Sequence, residues 1–441
     1  MIKPMHKFSS SLAVILLAVA ALFAGPVTAQ SLNIDIVKGT LTATPIAVVP
    51  FAQQGGTPPS TDVADVMRND FNRSGKFRSL AKSDVVEFPA QGSDIKFGTW
   101  RLLKQDYIVV GRIKDAGGGM LRVEYELWDV NKQQSLLAQA FTAPAGDLRG
   151  VAHQIADQIY EKITGVRGAF WTRIAYITAV GLGDNTTYSL IVADSDGFNP
   201  QVVARSKESL LSPAWSPDGR KIAYVSFEGG NSNIYIQDIT TGSRQLVSSH
   251  KGINGAPAFS PDGSKLALSL SYVGNPEIFV LDLGSRQETR LTNNLAIDTE
   301  PVWAPDGQSI YFTSDRSGRP QIYQTTVSGG SADRITFQGQ NNLKPSVSYD
   351  GKQIAMVQGN GNVYRIAILD RGLGGQLRFV SPGPIDDAVS FAPNASMLLY
   401  ATTEGTRGVL YSVSNDGMVR QRLALADGSV QEPAWGPYRQ R

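Results

Sequence analysis

The side chains with the types and spacing to do chemistry are acidic: Asp298, Glu300, Asp386, Asp387 and Glu432, with Glu300 and Glu432 separated by three periods of 44 residues. Two carboxylates facing one glycosidic bond suffice for hydrolysis, one as acid and the other as base or nucleophile. Asp298, Glu300 and Asp386 are the carboxylates to consider for that. Acyl transfer is poorly supported. A Gly-x-Ser-x-Gly nucleophile turn occurs nowhere, and a triad also needs a histidine base. Beyond the first 29 residues only His153 and His250 are present. His153 falls on the helical face opposite an apolar stripe, where an exposed side chain is expected, and His250 sits in a polar loop. His-Glu-x-x-His, EF-hand and Walker patterns are absent, and there is no cysteine. This excludes disulfides, thiolate metal sites and cysteine nucleophiles together. No cofactor is expected, and a cation among the channel carboxylates is the one ion the acidic set would suit. Asp218, Asp262, Asp306 and Asp350 form a second acidic series, but each belongs to an Asp-Gly turn and reads as a turn former.

The elements that position these carboxylates are set by a repeat. One position recurs every 44 residues, at Trp215, Phe259, Trp303, Val347, Phe391 and Trp435, in text such as Pro213-Ala-Trp-Ser-Pro-Asp-Gly219 and Pro257-Ala-Phe-Ser-Pro-Asp-Gly263. Proline fixes φ at the first turn corner and glycine accepts the left-handed conformation that closes a hairpin. Apolar strands follow, as in Lys221-Ile-Ala-Tyr-Val225 and Asn233-Ile-Tyr-Ile236, then a short polar one at Arg244-Gln-Leu-Val247. Four strands per repeat make a propeller blade. Arg173-Ile-Ala-Tyr-Ile177 lacks a Pro-x-Trp strand before it, and Glu432-Pro-Ala-Trp-Gly436 lacks a strand after it. The predicted fold is mixed: an α/β domain followed by a six-bladed β-propeller over residues 169–441, closed by the C-terminal strand.

Ahead of the repeat, Lys3 and Lys7, the apolar run Leu12 to Ala24 and the site Val27-Thr28-Ala29 read as a cleavable secretory signal over residues 1–29. Removing its two lysines from the 41 basic residues leaves 39 against 39 acidic ones, a balance that does not favour nucleic acid or anionic lipid as partners. No later segment is apolar enough to span a membrane. An exported monomer is expected. Residues 30–165 form the α/β domain. Strands are expected at Leu32 to Val37, Pro45 to Phe51, Tyr107 to Ile113, Leu121 to Leu127 and Leu136 to Phe141, and helices carry the faces Val63, Val66, Met67, Phe71 and Leu148, Val151, Ile155, Ile159. Leu32, Ile34 and Ile36 alternate with Asn33 and Asp35, which fits either a strand offered to a partner's sheet edge or the first strand of this domain. Superposing the repeats places Ser209 to Ser212, Ile253 to Ala256, Ala296 to Glu300, Gln340 to Leu343, Ile385 to Asp387 and Ser429 to Glu432 on one rim around the channel mouth, with Glu300 and Asp387 on exposed loops. Its mixture of acids with Leu210, Leu211, Ile253 and Ile297 suits a protein partner or a solvated loop face equally.

The combination of leader, α/β domain, Gly165-Val-Arg-Gly-Ala-Phe170, Arg173-Ile-Ala-Tyr176, Asn254-Gly-Ala-Pro-Ala-Phe-Ser-Pro-Asp-Gly263 and Gly318-Arg-Pro-Gln-Ile322 resembles the TolB family over residues 30–441. The resemblance implies a non-catalytic periplasmic scaffold of the Tol-Pal system, linking the outer-membrane, peptidoglycan-associated lipoprotein Pal to the inner-membrane protein TolA in outer-membrane integrity and envelope constriction at cell division. It implies a Pal-type contact through Ile253, Asn254, Gly255, Thr299, Glu300, Asp386 and Asp387, with Asp298 and Glu432 on the same rim. Ile253 stands where some members have histidine. It also implies a TolA-type peptide made of Gln30, Ser31, Leu32, Asn33, Ile34, Asp35 and Ile36. The competing function is a propeller enzyme acting on an envelope glycan or peptide at the channel mouth.

Overall fold

The structure, a computed structural model, describes the backbone of residues 34–36 and residues 43–55, 58–372, 374–423, 425 and 428–440. The leader and Gln30 to Asn33 lie outside these residues.

The α/β domain is built on one sheet in the order Phe77–Ser79, Thr44–Val48, Tyr107–Gly117, Met120–Asp129, Gln134–Pro144, with Ala52–Gln54 pairing beside Tyr107–Gly117. The first three strands run parallel and the last two turn back antiparallel. Three helices cover it: α1 (Val63–Arg73), α2 (Phe97–Leu102) and α3 (Leu148–Thr164). α1 starts where the Asp62 carboxylate accepts the Asp65 N–H at 3.1 Å, satisfying a donor that the first turn leaves unpaired. α3 stops at Gly165, whose φ of 76° is the left-handed C-terminal cap that glycine adopts without strain. Because side chains alternate across a strand, Ile46, Val48 and Val109 face α1 and α3. Ala47, Ile108 and Val110 face the opposite layer with Trp100 of α2. The sequence patterns of α1 and α3 foretell their buried faces. Helix α2 and the short strands Ala52–Gln54 and Phe77–Ser79 were not anticipated, being too brief to show a period.

Five propeller blades are consecutive four-stranded antiparallel sheets, beginning at Leu210–Trp215, Asn254–Phe259, Asp298–Trp303, Asn341–Val347 and Asp387–Phe391. The first blade is composite. Strands Arg173–Val180, Thr187–Asp194 and Gln201–Ser206 receive Ser429–Trp435 as their innermost member, with Trp435 opposite Ile174. A strand from the chain's far end thus removes the free edge that an open ring would expose. Repeat residues tie neighbouring blades together: the Trp215 indole donates to the Ala434 carbonyl at 3.1 Å and the Trp303 indole to Ala258 at 3.0 Å. The turn aspartates act locally, as Asp218 does in accepting the Ser216 hydroxyl at 2.6 Å and the Arg220 N–H at 3.0 Å.

Two expectations are corrected. Strand Ile34–Ile36 is no member of the α/β sheet; it pairs antiparallel with Val419–Arg422, the outer strand of the sixth blade, and makes that blade five-stranded. The outer strand of a blade is an open edge with unpaired backbone groups, so an extended segment nearby satisfies it. His153 is not exposed but 1% accessible, because its side of α3 faces the propeller.

Candidate functional site: the rim and channel mouth

Each innermost strand contains one residue with positive φ, and these recur at the repeat spacing: Ser212 (51°), Ala256 (46°), Glu300 (56°), Lys344 (51°), Ala388 (43°) and Glu432 (55°). All but Ala388 precede a proline. Proline offers no N–H to the ladder and bars its predecessor from the right-handed helical region. The pairing register shifts at this point in all six innermost strands, so each strand carries a bulge that re-aims one side chain. In three blades that side chain is charged.

The charges meet across the channel. Lys344 Nζ lies 2.9 Å from Asp387 and 3.7 Å from Glu432, which belongs two blades further round the ring. Glu300 accepts the Thr313 hydroxyl at 2.7 Å and the Lys344 backbone N–H at 2.8 Å. Glu432 accepts the Ser212 N–H at 3.3 Å, so each of these two glutamates grips the bulge of the next blade. Burial pushes the Glu300 carboxyl above its ordinary range against the Thr313 and Lys344 contacts. Burial pulls the Lys344 ammonium down, but Glu432 and Asp387 outweigh it and the group is raised. The carboxylates that a channel cation would use are met by this ammonium.

The repeat also sorts the rim residues into buried and offered ones. Leu210, Asn254, Asp298, Asn342, Asp386 and Val430 share one repeat position and are all 0–2% accessible. Asp298 and Asp386 therefore do not stand on the exposed rim as expected. Asp298 is paired with Arg316 at 2.6 Å, and burial raises its carboxyl. Asp386 accepts the Ser381 hydroxyl and the Gly383 N–H. Asn254 binds the His250 N–H at 2.9 Å and the Ser248 hydroxyl at 2.7 Å. These side chains shape the loops from within, because a polar group at the start of a buried strand can satisfy the loop's backbone. Glu300 departs from expectation too: it is partly buried in the channel, while Asp387 is exposed. One residue earlier than the buried position, Ile253, Ile297 and Ile385 are 51%, 49% and 57% accessible, beside a fully exposed Leu295. Gly255 and Thr299 are partly exposed near them. Ile385 had not been singled out, although counting 44-residue steps from Ile253 reaches it.

Asp298 and Asp386, two of the three carboxylates considered for glycan hydrolysis, are buried where a substrate could not reach them. Among the described residues, Asp70, His153 and Asp196 are the one group close enough to hold a metal ion, but Arg73 and Arg149 already neutralise its carboxylates. A cleft of about 610 Å³ lies away from the rim, lined by Trp171, Arg173 and Arg439 among others.

An α/β domain joined to a self-clasped six-bladed propeller, with an apolar and acidic rim, defines a propeller scaffold. The described "TolB amino-terminal domain" matches residues 32–136 and the "TolB beta propeller domain" residues 160–439. The chain is 65% identical over 439 residues, 99% of each chain, to the Tol-Pal system protein TolB of Xanthomonas oryzae pv. oryzae. It is 67% identical over 412 residues to that of Xanthomonas euvesicatoria pv. vesicatoria, covering 93% of this chain and 94% of the relative. The crystal structure of TolB from Acinetobacter baumannii matches with a TM-score of 0.84 at 42% identity, covering 92% of this chain and 100% of the other. The chain belongs to the TolB family, a non-catalytic component of the Tol-Pal system. No helix among the described residues is long and apolar enough to cross a membrane.

Proposed function

We propose that this protein is the periplasmic link of the Tol-Pal system, holding a Pal-like peptidoglycan-associated lipoprotein on its rim and a TolA-like inner-membrane protein through its N-terminal segment, in support of outer-membrane integrity and constriction at division. The observation that carries this reading is the rim itself. Three isoleucines at equivalent repeat positions stand exposed around a channel mouth stiffened by buried polar side chains, a preformed apolar surface with the exposed acid Asp387 at its edge. Apolar anchors ringed by polar groups are what a stable protein interface uses. The Pal-type contact then rests on Ile253, Gly255, Thr299 and Asp387, with Asn254, Asp298, Glu300, Asp386 and Glu432 supporting them from inside. The N-terminal segment suits the second partner because Ile34–Ile36 already adds to a sheet edge, and a partner's edge can compete for the same strand.

Titration of both partners against the mature chain tests this. Ile253→Lys with Ile385→Lys lowers lipoprotein affinity about ten-fold or more, with an unchanged circular dichroism spectrum. Removing Gln30 to Ile36 abolishes inner-membrane binding and leaves lipoprotein affinity within a few-fold. Undiminished lipoprotein binding by the folded double variant moves the interface elsewhere, and retained TolA-like binding after truncation rejects the peptide assignment.

A further inference from the structure

A second set of charges lies far from the rim, buried where the α/β helices meet the first blade. His153 of α3 is flanked by two carboxylates from opposite sides of this junction. Its Nδ1 is 2.6 Å from Asp70 of α1, and its Nε2 is 3.5 Å from Asp196 in the loop after strand Thr187–Asp194. All three residues are less than 5% accessible. From α1, Arg73 binds Asp70 at 2.9 Å and reaches the Ser195 carbonyl at 3.1 Å and hydroxyl at 2.8 Å. From α3, Arg149 pairs with Asp196, and Asp157 receives the backbone N–H groups of Phe170 and Trp171 at 2.7 and 3.1 Å. These are the charged groups that face the imidazole from the helices and from the loop. Asp70 and Asp196 are the two carboxylates that meet the ring, each also held by a guanidinium, and the two imidazole nitrogens lie between them.

A neutral imidazole has one N–H and one lone pair. If its hydrogen goes to Asp70, the lone pair of Nε2 faces the Asp196 carboxylate, and only the doubly protonated ring donates toward both. We propose that His153 is a proton-binding keystone: its imidazolium ties propeller loop Ser195–Phe198 to helices α1 and α3, and loss of that proton loosens the loop. Burial pulls the group down, and Asp70 and Asp196 more than offset it, so it titrates above its ordinary 6.5. A histidine raised in the folded state contributes its full stabilisation below 6.5, and this is lost as pH rises through the raised value. The lock is therefore closed in acid and opens toward alkaline pH.

The test uses the full chain and two readouts. The first follows the His153 ring proton by NMR between about pH 5 and about pH 9.5, with His250→Gln to separate the other folded-region histidine. A midpoint above 6.5 is expected, and one below it overturns the proposal. The second compares hydrogen exchange of the Ser195–Phe198 amides in the parent and His153→Gln at matched pH, so that intrinsic rates cancel. In acid the parent is protected roughly ten-fold more, the equivalent of one pKa unit of coupling, and at high pH the two converge. A protection ratio independent of pH overturns the lock. Asp196→Asn, which keeps the shape of the loop, repeats the comparison if His153→Gln does not fold.

Discussion

Six residues held in the left-handed region, one per blade, fix what the channel mouth can do. Such a conformation costs about 1 kcal/mol or more for a non-glycine residue, and it persists because the bulge specifies it, together with a following proline at every position but Ala388. The consequence is functional asymmetry among identical turns. Serine and alanine occupy three bulges, whereas Glu300, Lys344 and Glu432 bring charge into a confined space. Glu300 and Asp387, both acids of the rim region, should consequently respond differently to charge reversal. Glu300→Lys sets a second ammonium beside Lys344 and leaves the Thr313 hydroxyl unmatched, which lowers stability by about 3 kcal/mol. Asp387→Lys, at an exposed site, changes stability by less than about 1 kcal/mol and acts on partner binding instead. Urea titration of each variant beside a binding isotherm checks the separation, and equal destabilisation of the two contradicts the buried role of Glu300.

Strands are the elements that decide whether the ring is closed. Ser429–Trp435 pairs along Arg173–Val180, and the Trp435 indole reaches back to the Thr172 hydroxyl at 2.8 Å. Deleting residues 432–441 removes Trp435, opens the edge of the first blade and unpairs the Trp215 indole from Ala434. The expected result is a lower and broader thermal transition for the whole protein rather than the loss of a tail. A melting profile equal to that of the full chain would refute the clasp. Ile34–Ile36 shows the converse at the sixth blade, where a short strand lies on the outer edge and closes nothing. It can leave without breaking the ring, as a segment meant for exchange with a partner requires.

At the scale of the molecule, five blade-to-blade seams each have their own apolar layer. The seam between the sixth and first blades is different. Its residues Leu399, Ala401, Ile174 and Tyr176 belong to the same cluster as Met67, Phe71, Ile155 and Phe170. The seam that leads into the composite first blade therefore shares its core with the α/β domain, and burial there couples the two domains energetically. Asp157 sits at the same junction, where a Cβ on Gly168 would approach its Oδ1 to 2.3 Å. Burial pushes the Asp157 carboxyl up to about 7, against the N–H groups of Phe170 and Trp171. An acid raised on folding favours the native state while it is neutral, so stability falls as pH rises from about 4 to about 7 and is flat above. Asp157→Asn removes that part of the slope. It also loses one of the two acceptors, so the absolute melting temperature drops at every pH and the slope is the quantity to read. An unchanged slope between pH 4 and 7 would show that Asp157 titrates normally.

Repetition made the propeller legible. A turn that needs proline, aspartate and glycine at fixed offsets leaves its mark wherever it recurs, and the unmatched strands at Arg173 and Glu432 already required the chain to close on itself. The faces of α1 and α3 were equally plain, since a helix of three or more turns repeats its apolar positions often enough to show a period. What the tertiary structure decided is the exposure of single polar residues. Asp298 and Asp387 look alike in the linear chain, yet one is sealed against Arg316 and the other stands in solvent, because they occupy successive repeat positions ahead of the bulge and side chains alternate across a strand. His153 was read outward from the apolar stripe of its helix, and only the docking of the propeller turned its polar face into an interior. The partner of Ile34–Ile36 was open for the same reason. A strand of three residues records that it must pair, and the folded molecule alone determines which edge lies within its reach.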